Sequence, residues 1–351
     1  MKSFYLSIIF SALIFLTYSC KNSKKNNIGI TIATGSMPNM AADKLGNPAI
    51  VYGMNDSIMI VSSTDQGRTF STPQLITKLP ELVASAMRGP QIAFVSGGFI
   101  IAACNKAGNI FLIKKEENGN WLQAKKLNDV DTVCKEGFIS LASEGQNLFC
   151  VWLDLRNGHN EIFGARSSDG GVSWSKNILI YASPDKTVCE CCKPSVAIKA
   201  NHVFVMFRNW IKGNRDLYLI ESNNSGSDFG QAKKLGDDSW ALDGCPMDGG
   251  ALVINPSGSL QTVWRRKNKI YNCIPGQHEQ EIGEGKNCTI EYANGEDVYA
   301  WTENGEIIIT TAKQKINVGK GSIAIIKSNG NKQVICIWEN ERKIRAATID
   351  L

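Results

Sequence analysis

Histidine is scarce in this chain. There are 3 in 351 residues, His159, His202 and His278, and none stands at metal-ligand spacing from another. No Gly-rich phosphate loop, no G-x-S-x-G turn and no H-E-x-x-H helix occurs, so the motifs of nucleotide cradles, serine hydrolases and zinc peptidases are missing. No long 3.6-residue apolar period runs through the chain, and no Pro/Ser-rich linker divides it. No cofactor is implied. A surplus of one charge is also lacking. The whole chain carries 38 basic and 33 acidic residues, but four of the lysines (Lys2, Lys21, Lys24, Lys25) fall in the first 27 positions. The remainder is nearly neutral, with 34 against 33. A nucleic-acid binder needs a basic face, so nucleic acid is not expected as a partner.

The start of the chain reads as an export signal. Met1-Lys2 gives a short positive start, Phe4 to Tyr18 is apolar, and Ser19-Cys20 follows. The run is too short to span a bilayer comfortably and fits a signal peptide over residues 1–19. Leu16-Thr17-Tyr18-Ser19-Cys20 resembles a bacterial lipobox. That resemblance implies acylation of Cys20 and a membrane anchor in the cell envelope, with residues 20–27 as a polar tether; an ordinary secretory signal with an accidental Cys is the alternative.

Residues 28–351 are rich in Gly, Asn, Ser and β-branched residues and carry a repeat. An apolar or aromatic pair recurs before a polar loop: Val51-Tyr52, Ile101-Ala102, Val151-Trp152, Met206-Phe207, Val263-Trp264, Ala300-Trp301 and Ile337-Trp338. The second members are spaced by 50, 50, 55, 57, 37 and 37 residues. Each pair has a strand and a small-residue turn before it and another strand after it. Four-stranded units at such a period predict an all-β fold, a β-propeller whose units are blades. The count is seven, with six as the alternative if the two 37-residue units form one irregular blade. The last unit holds three strands, so Gly29-Ile30-Thr31-Ile32-Ala33 is expected to supply its fourth. Closure of that kind removes open sheet edges. Residues 28–351 thus read as one propeller domain, expected to be monomeric.

Between the third and fourth strands an octet repeats. Ser63-Thr64-Asp65-Gln66-Gly67-Arg68-Thr69-Phe70 and Ser167-Ser168-Asp169-Gly170-Gly171-Val172-Ser173-Trp174 both read S-x-D-x-G-x-x-aromatic. Ser222-Asn223-Asn224-Ser225-Gly226-Ser227-Asp228-Phe229 keeps the form with Asn224 for Asp. Glu117 to Trp121 is a decayed copy. A short Asp or Asn side chain accepts from backbone N–H groups just downstream and closes a tight turn, and Gly admits φ > 0. The closing aromatic is expected to begin the next strand and bury its ring. The octet resembles the Asp-box, or BNR, repeat of sialidases and related propellers, in which it is structural and lies on the face away from the active site.

The resemblance implies a glycan-directed protein, an exo-glycosidase of sialidase type, acting on a glycan or glycoconjugate. Its site would lie where the loops after second strands and before first strands meet. Sialidases clamp the sialate carboxylate with three arginines and use a Tyr/Glu nucleophile and an Asp acid/base. Arg208 and Arg265 each follow their blade's aromatic directly, so they occupy equivalent places on adjacent blades. With Arg88 or Arg156 they could grip a carboxylate bidentately, and Arg215 lies in the same loops. Asp154, Asp243 and Asp248 are the catalytic candidates. The Arg-Ile-Pro motif and a rim Tyr–Glu pair are absent, which leaves a non-catalytic glycan- or protein-binding propeller as the alternative. Arg–Asp pairs that merely lock loops are the plain reading of Arg156 with Asp154 and of Arg215 with Asp216.

Cysteines gather before several blades: Cys134, Cys189-Glu190-Cys191-Cys192, Cys245 and Cys288. In an exported protein one or two disulfides among Cys134, Cys189, Cys191, Cys192 and Cys245 are expected to pin these loops. A soft-metal site with Met247 is the other reading, although C-x-C-C matches no common zinc pattern. Cys104, Cys150 and Cys336 lie in second strands and are expected to be buried thiols.

Overall fold

The structure, a computed structural model, describes residues 29–116, 118–330 and 332–351. The signal, Cys20 and the tether lie outside the described residues, as do Glu117 and Asn331.

Seven four-stranded antiparallel sheets stand around a central channel. Blades 1 to 6 run in chain order, with inner strands at Ser36–Ala42, Gln91–Val95, Ile139–Glu144, Ser195–Lys199, Ala251–Ile254 and Lys286–Ala293. Blade 7 takes Ser322–Ser328, Gln333–Asn340 and Lys343–Asp350 from the C-terminus and Ile30–Thr34 from the N-terminus. Ile30 pairs with Ala346 and Thr34 with Lys343, so the two ends of the chain close the ring in one sheet. The six-blade count therefore falls: the two 37-residue units are complete blades, shortened by tight turns such as Asn294-Gly295 and Asn304-Gly305, all at positive φ.

The repeated pairs sit on second strands and supply the cores between blades. Trp152, Trp301 and Trp338 are fully buried, and Tyr52, Phe207 and Trp264 nearly so. Each such ring removes about 150–250 Å² of mostly apolar surface from water. Contacts run between adjacent sheets rather than within one. The cluster around Trp338, for example, joins Ala300, Ile307 and Ile309 of blade 6 to Val334, Cys336 and Ile349 of blade 7.

The three octets share one bond scheme at the tips between third and fourth strands. Ser63 Oγ donates to Asp65 Oδ1 at 2.7 Å and accepts from Gly67 N at 2.9 Å, while Asp65 Oδ1 accepts from Arg68 N and Thr69 N. Ser167 and Asp169 repeat this with Gly171, Val172 and Ser173. The hydroxyls of Ser173 and Thr69 close the turns by donating to Asp169 and Asp65. In the third copy that last bond is reversed: Asn224 Nδ2 donates to Asp228 Oδ2 at 2.8 Å, so an amide stands where the carboxylate was and a carboxylate where the hydroxyl was. Glycine is required twice over in these turns. Gly171 and Gly226 have φ of +82° and +79°. A Cβ at Gly171 would stand 2.3 Å from Ile100 Cδ1, and one at Gly226 2.3 Å from Phe149 Cε2. Each of these turns therefore also seals its blade to the second strand of the one before. Phe70, Trp174 and Phe229 are only half-buried and stand four residues before the fourth strand, because the turn's own bonds hold those residues outside the ladder.

Candidate functional site

The opposite face carries the loops after second strands and before first strands. It is stitched around the ring by hydrogen bonds between neighbouring blades. Ile92 N donates to Asn39 Oδ1 (blades 2 and 1), Arg88 Nε to Glu136 O (2 and 3), and Asn209 Nδ2 to Tyr181 OH (4 and 3). Arg208 Nη2 donates to Arg265 O (4 and 5), Asn287 N to Asp248 Oδ2 (6 and 5), Ile323 N to Thr302 Oγ1 (7 and 6), and Met37 N to Glu339 Oε2 (1 and 7). Several inner strands reach this face through a bulge with a non-Gly residue in the left-handed region: Met37, Asn287 and Ile323, at φ of 54°, 54° and 57°. For β-branched Ile323 this is a strained backbone, held by the bond from its own N–H.

Most of the rim arginines are committed to the fold. Arg208, 2% exposed, gives Nε to Asp248 O, Nη1 to Arg215 O at 2.7 Å and Nη2 to Arg265 O at 2.9 Å. Three of its five donors are thus spent on backbone carbonyls, and burial closes the remaining two off from solvent. Arg156 grips Asp154 with Nε and Nη2, each at 2.9 Å, and reaches Asp129 and Asn177 as well. Asp154 is fully buried and also accepts from Trp152 Nε1, so it serves the core. Arg88 lies over the Phe138 ring and binds Glu136 and Ala86 O. Arg215 stacks on Trp210 and donates to Cys189 Sγ. Its neighbour Asp216 instead accepts from Trp240 N. Arg265 and Arg208 do come together, each with its guanidinium 5.4 Å from the Trp240 ring. Arg265 is the freer, half-buried, with Nη2 on Pro246 O and Nε 3.4 Å from Asp248 Oδ2. Arg88 contacts neither of them; it belongs to the seam between blades 2 and 3. Asp243 is exposed.

The channel opens here into a cavity of about 240 Å³ lined by all seven inner strands, with Asn39, Gln91, Lys193, Ser195, Asp248 and Asn287 among its polar groups. Two of these are titratable groups in unfavourable surroundings. Lys193 donates from Nζ to Gln91 Oε1 at 2.7 Å, with no carboxylate at ion-pair distance among the described residues. Enclosure without a counter-charge lowers its pKa to about 8. Asp248 is buried, and burial raises its pKa against the opposing pull of Arg265; its Oδ1 has no hydrogen-bond partner among the described residues. Their backbones adjoin, since a Cβ on Gly249 would stand 2.5 Å from Lys193 O. Perturbed groups lining one concave site mark candidate functional positions. A larger groove of about 680 Å³ lies between the outer strands of blades 4 and 5, but its charged residues, such as His202 and Glu221, are solvent-exposed and already paired.

Sequence reading passed over Lys193, Gln91, Asn39 and Trp240. One signal was available: Pro90 and Pro194 precede inner strands at the same register, which places Gly89 and Lys193 at equivalent positions on the channel wall.

The cysteines divide into two groups. Cys191 and Cys245 form a disulfide, with Cys189 and Cys192 beside it as free thiols. Cys134 does not join them. It lies with Cys104 and Cys150 between blades 2 and 3, where all three are buried free thiols and burial raises the pKa of Cys134 and Cys150. Cys336 is likewise a buried thiol whose pKa burial raises.

Fold and site together define a seven-bladed β-propeller with a polar, partly cationic channel mouth. No protein-family model matches the chain, and no curated protein matches it in sequence. Its shape is similar to several solved propellers. A lectin from Burkholderia pseudomallei superposes with a TM-score of 0.67 at 7% identity, over 90% of this chain and 96% of the lectin. Virginiamycin B lyase of Staphylococcus aureus gives 0.56 at 13% identity, over 92% and 98%. An α-L-arabinofuranosidase of Fusarium graminearum gives 0.52 at 12% identity, over 93% and 98%. At these identities the likeness establishes the fold.

Proposed function

We propose that the protein is an envelope propeller, exported and held to the membrane by acylated Cys20, that binds an anionic glycan at its channel mouth without hydrolysing it. The observation that carries this reading is the division of labour among the charged groups. Arg208, Arg156 and Asp154 are spent on the fold, while Lys193 lines the mouth, Arg265 lies against Asp248 of its wall, and Trp210, 38% exposed, offers an aromatic face on the same rim, braced by Arg215. A cationic pocket beside an amphipathic ring suits a sugar bearing a carboxylate or sulfate. Hydrolysis needs two carboxylates free to act across one bond. Asp154 is locked, and Asp248 is held beneath Arg265. Lectin and arabinofuranosidase propellers of similar shape support a glycan ligand, and the Cys191–Cys245 bridge supports an oxidising compartment.

Calorimetry with sialylated and sulfated oligosaccharides, run beside an assay for released sugar, tests the reading. Binding without release is expected, with at least about tenfold weakening in Lys193→Ala and in Trp210→Ala, the loss expected when one good polar or stacking contact of about 1.4 kcal/mol goes. Release of sugar would return the protein to the glycosidases. Affinity unchanged in both variants would move the ligand elsewhere. A Cys20→Ser chain should leave the membrane fraction.

A further inference from the structure

The sulfur cluster behind the rim has no part in glycan binding, yet its geometry is that of a reactive site. Cys189 Sγ lies 3.7 Å from Cys191 Sγ and 3.6 Å from Cys192 Sγ. It accepts a hydrogen bond from Arg215 Nη1 at 3.0 Å. Cys191 is already bonded to Cys245. A thiol in van der Waals contact with a disulfide sulfur, with a guanidinium on the thiol, is the arrangement that thiol–disulfide exchange requires. The two ends of the bridge also differ: Cys191 is buried, whereas Cys245 is exposed in the segment 241–247.

We propose that Cys189, Cys191, Cys192 and Cys245 form a thiol–disulfide exchange relay, in which Cys189 attacks Cys191 and releases Cys245 at the surface. Cys189 gives its proton to solvent, and its thiolate forms a bond to Cys191 Sγ. The Cys191–Cys245 bond breaks, and its electron pair leaves on Cys245, which takes a proton from water. One disulfide is exchanged for another, so no oxidant or reductant is consumed. In a second step, slower because Cys192 must first lose its proton, Cys192 attacks Cys189 Sγ, the Cys189–Cys191 bond breaks, and Cys191 leaves as a thiolate that takes up that proton.

The charges around Cys189 favour its thiolate. The hydrogen bond it shares with Cys192 and the positive charge of Arg215 and Arg208, against the cost of burial, together bring its pKa down to about 7. Glu190 is paired with Arg215 and faces the same group with negative charge. Burial keeps the Cys192 thiol protonated.

The relay has a structural consequence. The segment that carries Cys245 is framed by Trp240, on which Arg208 and Arg265 stack, and by Asp248 of the channel wall. Exchange unfastens this segment from Cys191, so the sulfur state sets how firmly one side of the mouth is held. The exposed Cys245 thiol is then free to form a mixed disulfide with an external thiol-bearing partner.

The test is alkylation of the folded, unreduced full chain with iodoacetamide at pH 7.5, followed by acid quench and non-reducing peptide mapping. Labelled Cys245 is expected, together with Cys189–Cys191 or Cys189–Cys192 linked peptides. Cys189→Ser should lower Cys245 labelling at least tenfold and leave Cys191–Cys245 as the linkage. Should that variant fail to fold, Cys245→Ser serves instead. Treated with oxidised glutathione, it should pair Cys189 with Cys191 or Cys192. Equal protection of Cys245 in wild type and Cys189→Ser, or free Cys189, Cys191 and Cys192 in oxidised Cys245→Ser, would overturn the relay. So would stoichiometric zinc or copper on these thiolates by elemental analysis of the isolated protein, which would make the cluster a metal site.

Discussion

The two faces of the ring are built on opposite plans. On the octet face the Ser hydroxyl and the Asp or Asn side chain of each turn bond within eight consecutive residues, such as Ser167 to Trp174. On the channel face the bonds between blades join residues far apart in the chain: Met37 to Glu339, Lys193 to Gln91, Arg208 to Arg265. The first face repeats one solution three times. The second uses each residue once, and it carries buried charge and strained backbone. The side-chain bonds of a local turn can be lost with modest consequence because they satisfy only that turn. A bond that crosses blades holds the ring together and the site open at once.

The sharpest way to break this comparison is Arg208→Ala. Removing a buried guanidinium takes one donor from each of three carbonyls and leaves Arg265 as the one arginine facing Asp248, at an expected cost of about 3–5 kcal/mol. Denaturant unfolding followed by tryptophan fluorescence reads it, and Arg208→Lys should recover little because an ammonium cannot span the three acceptors. Stability within 1 kcal/mol of wild type would mean that Arg208 is available to ligand after all.

Two glycines separate packing from backbone strain. Gly171 on the octet face and Gly158 on the channel face share a φ near +80°, but a Cβ at Gly158 meets nothing within 4 Å. Gly158→Ala should cost about 1 kcal/mol, from the left-handed backbone alone. Gly171→Ala adds a clash with Ile100 and should cost about 2–3 kcal/mol. Equal losses would show that the turn does not seal the blades.

Lys193→Met should move stability the other way. The lysine pKa is lowered in the folded ring, so the unfolded chain holds that proton more tightly and wild-type stability rises with pH between about 8 and 10.4. The Met variant should therefore gain about 1–2 kcal/mol at pH 7, less than the full shift because the side chain is partly solvated, and the gain should vanish above pH 10. Glycan binding should be lost in the same variant, the exchange of stability for function seen at many sites.

The smallest effect belongs to the turns. Asp169→Asn should cost less than about 1 kcal/mol, and Ser173→Asp added to it should restore the loss by copying Asn224 and Asp228. Hydrogen bonds from Ser173 hold the Asp169 carboxyl at about 2. Its contribution is thus present above pH 4 and lost as pH falls toward 2, so the wild type but not the Asn variant should lose this increment in an acid titration.

Much of the ring was legible before any coordinates. Tyr52, Trp152, Phe207, Trp264, Trp301 and Trp338 recur because six of the seven blades set one large side chain against a neighbour at this place, where blade 2 has Ala102, and that need writes a period into the chain. The N-terminal strand was legible because the last unit lacked a fourth. The site was far less so. Arg208 and Arg265 were placed on one rim correctly, but nothing in their spacing reveals that one guanidinium is filled by carbonyls and the other left half free. Lys193 drew no attention because a lysine is ordinary until a channel encloses it. Cys134 looked like part of the sulfur group from its place before blade 3, yet the turn of the ring carries it to Cys104 and Cys150.

By itself the sequence determined the local chemistry: strands from β-branched alternation, turns from Ser, Asp and Gly in the octets, and blades from the spacing of buried rings. These rest on interactions between residues close in the chain, whose geometry the order of residues dictates. Only the tertiary structure decided which side chains face the channel, which charges lose water without gaining a partner, and which sulfurs touch. Those properties depend on enclosure, and enclosure exists only once the two ends of the chain have met in one sheet.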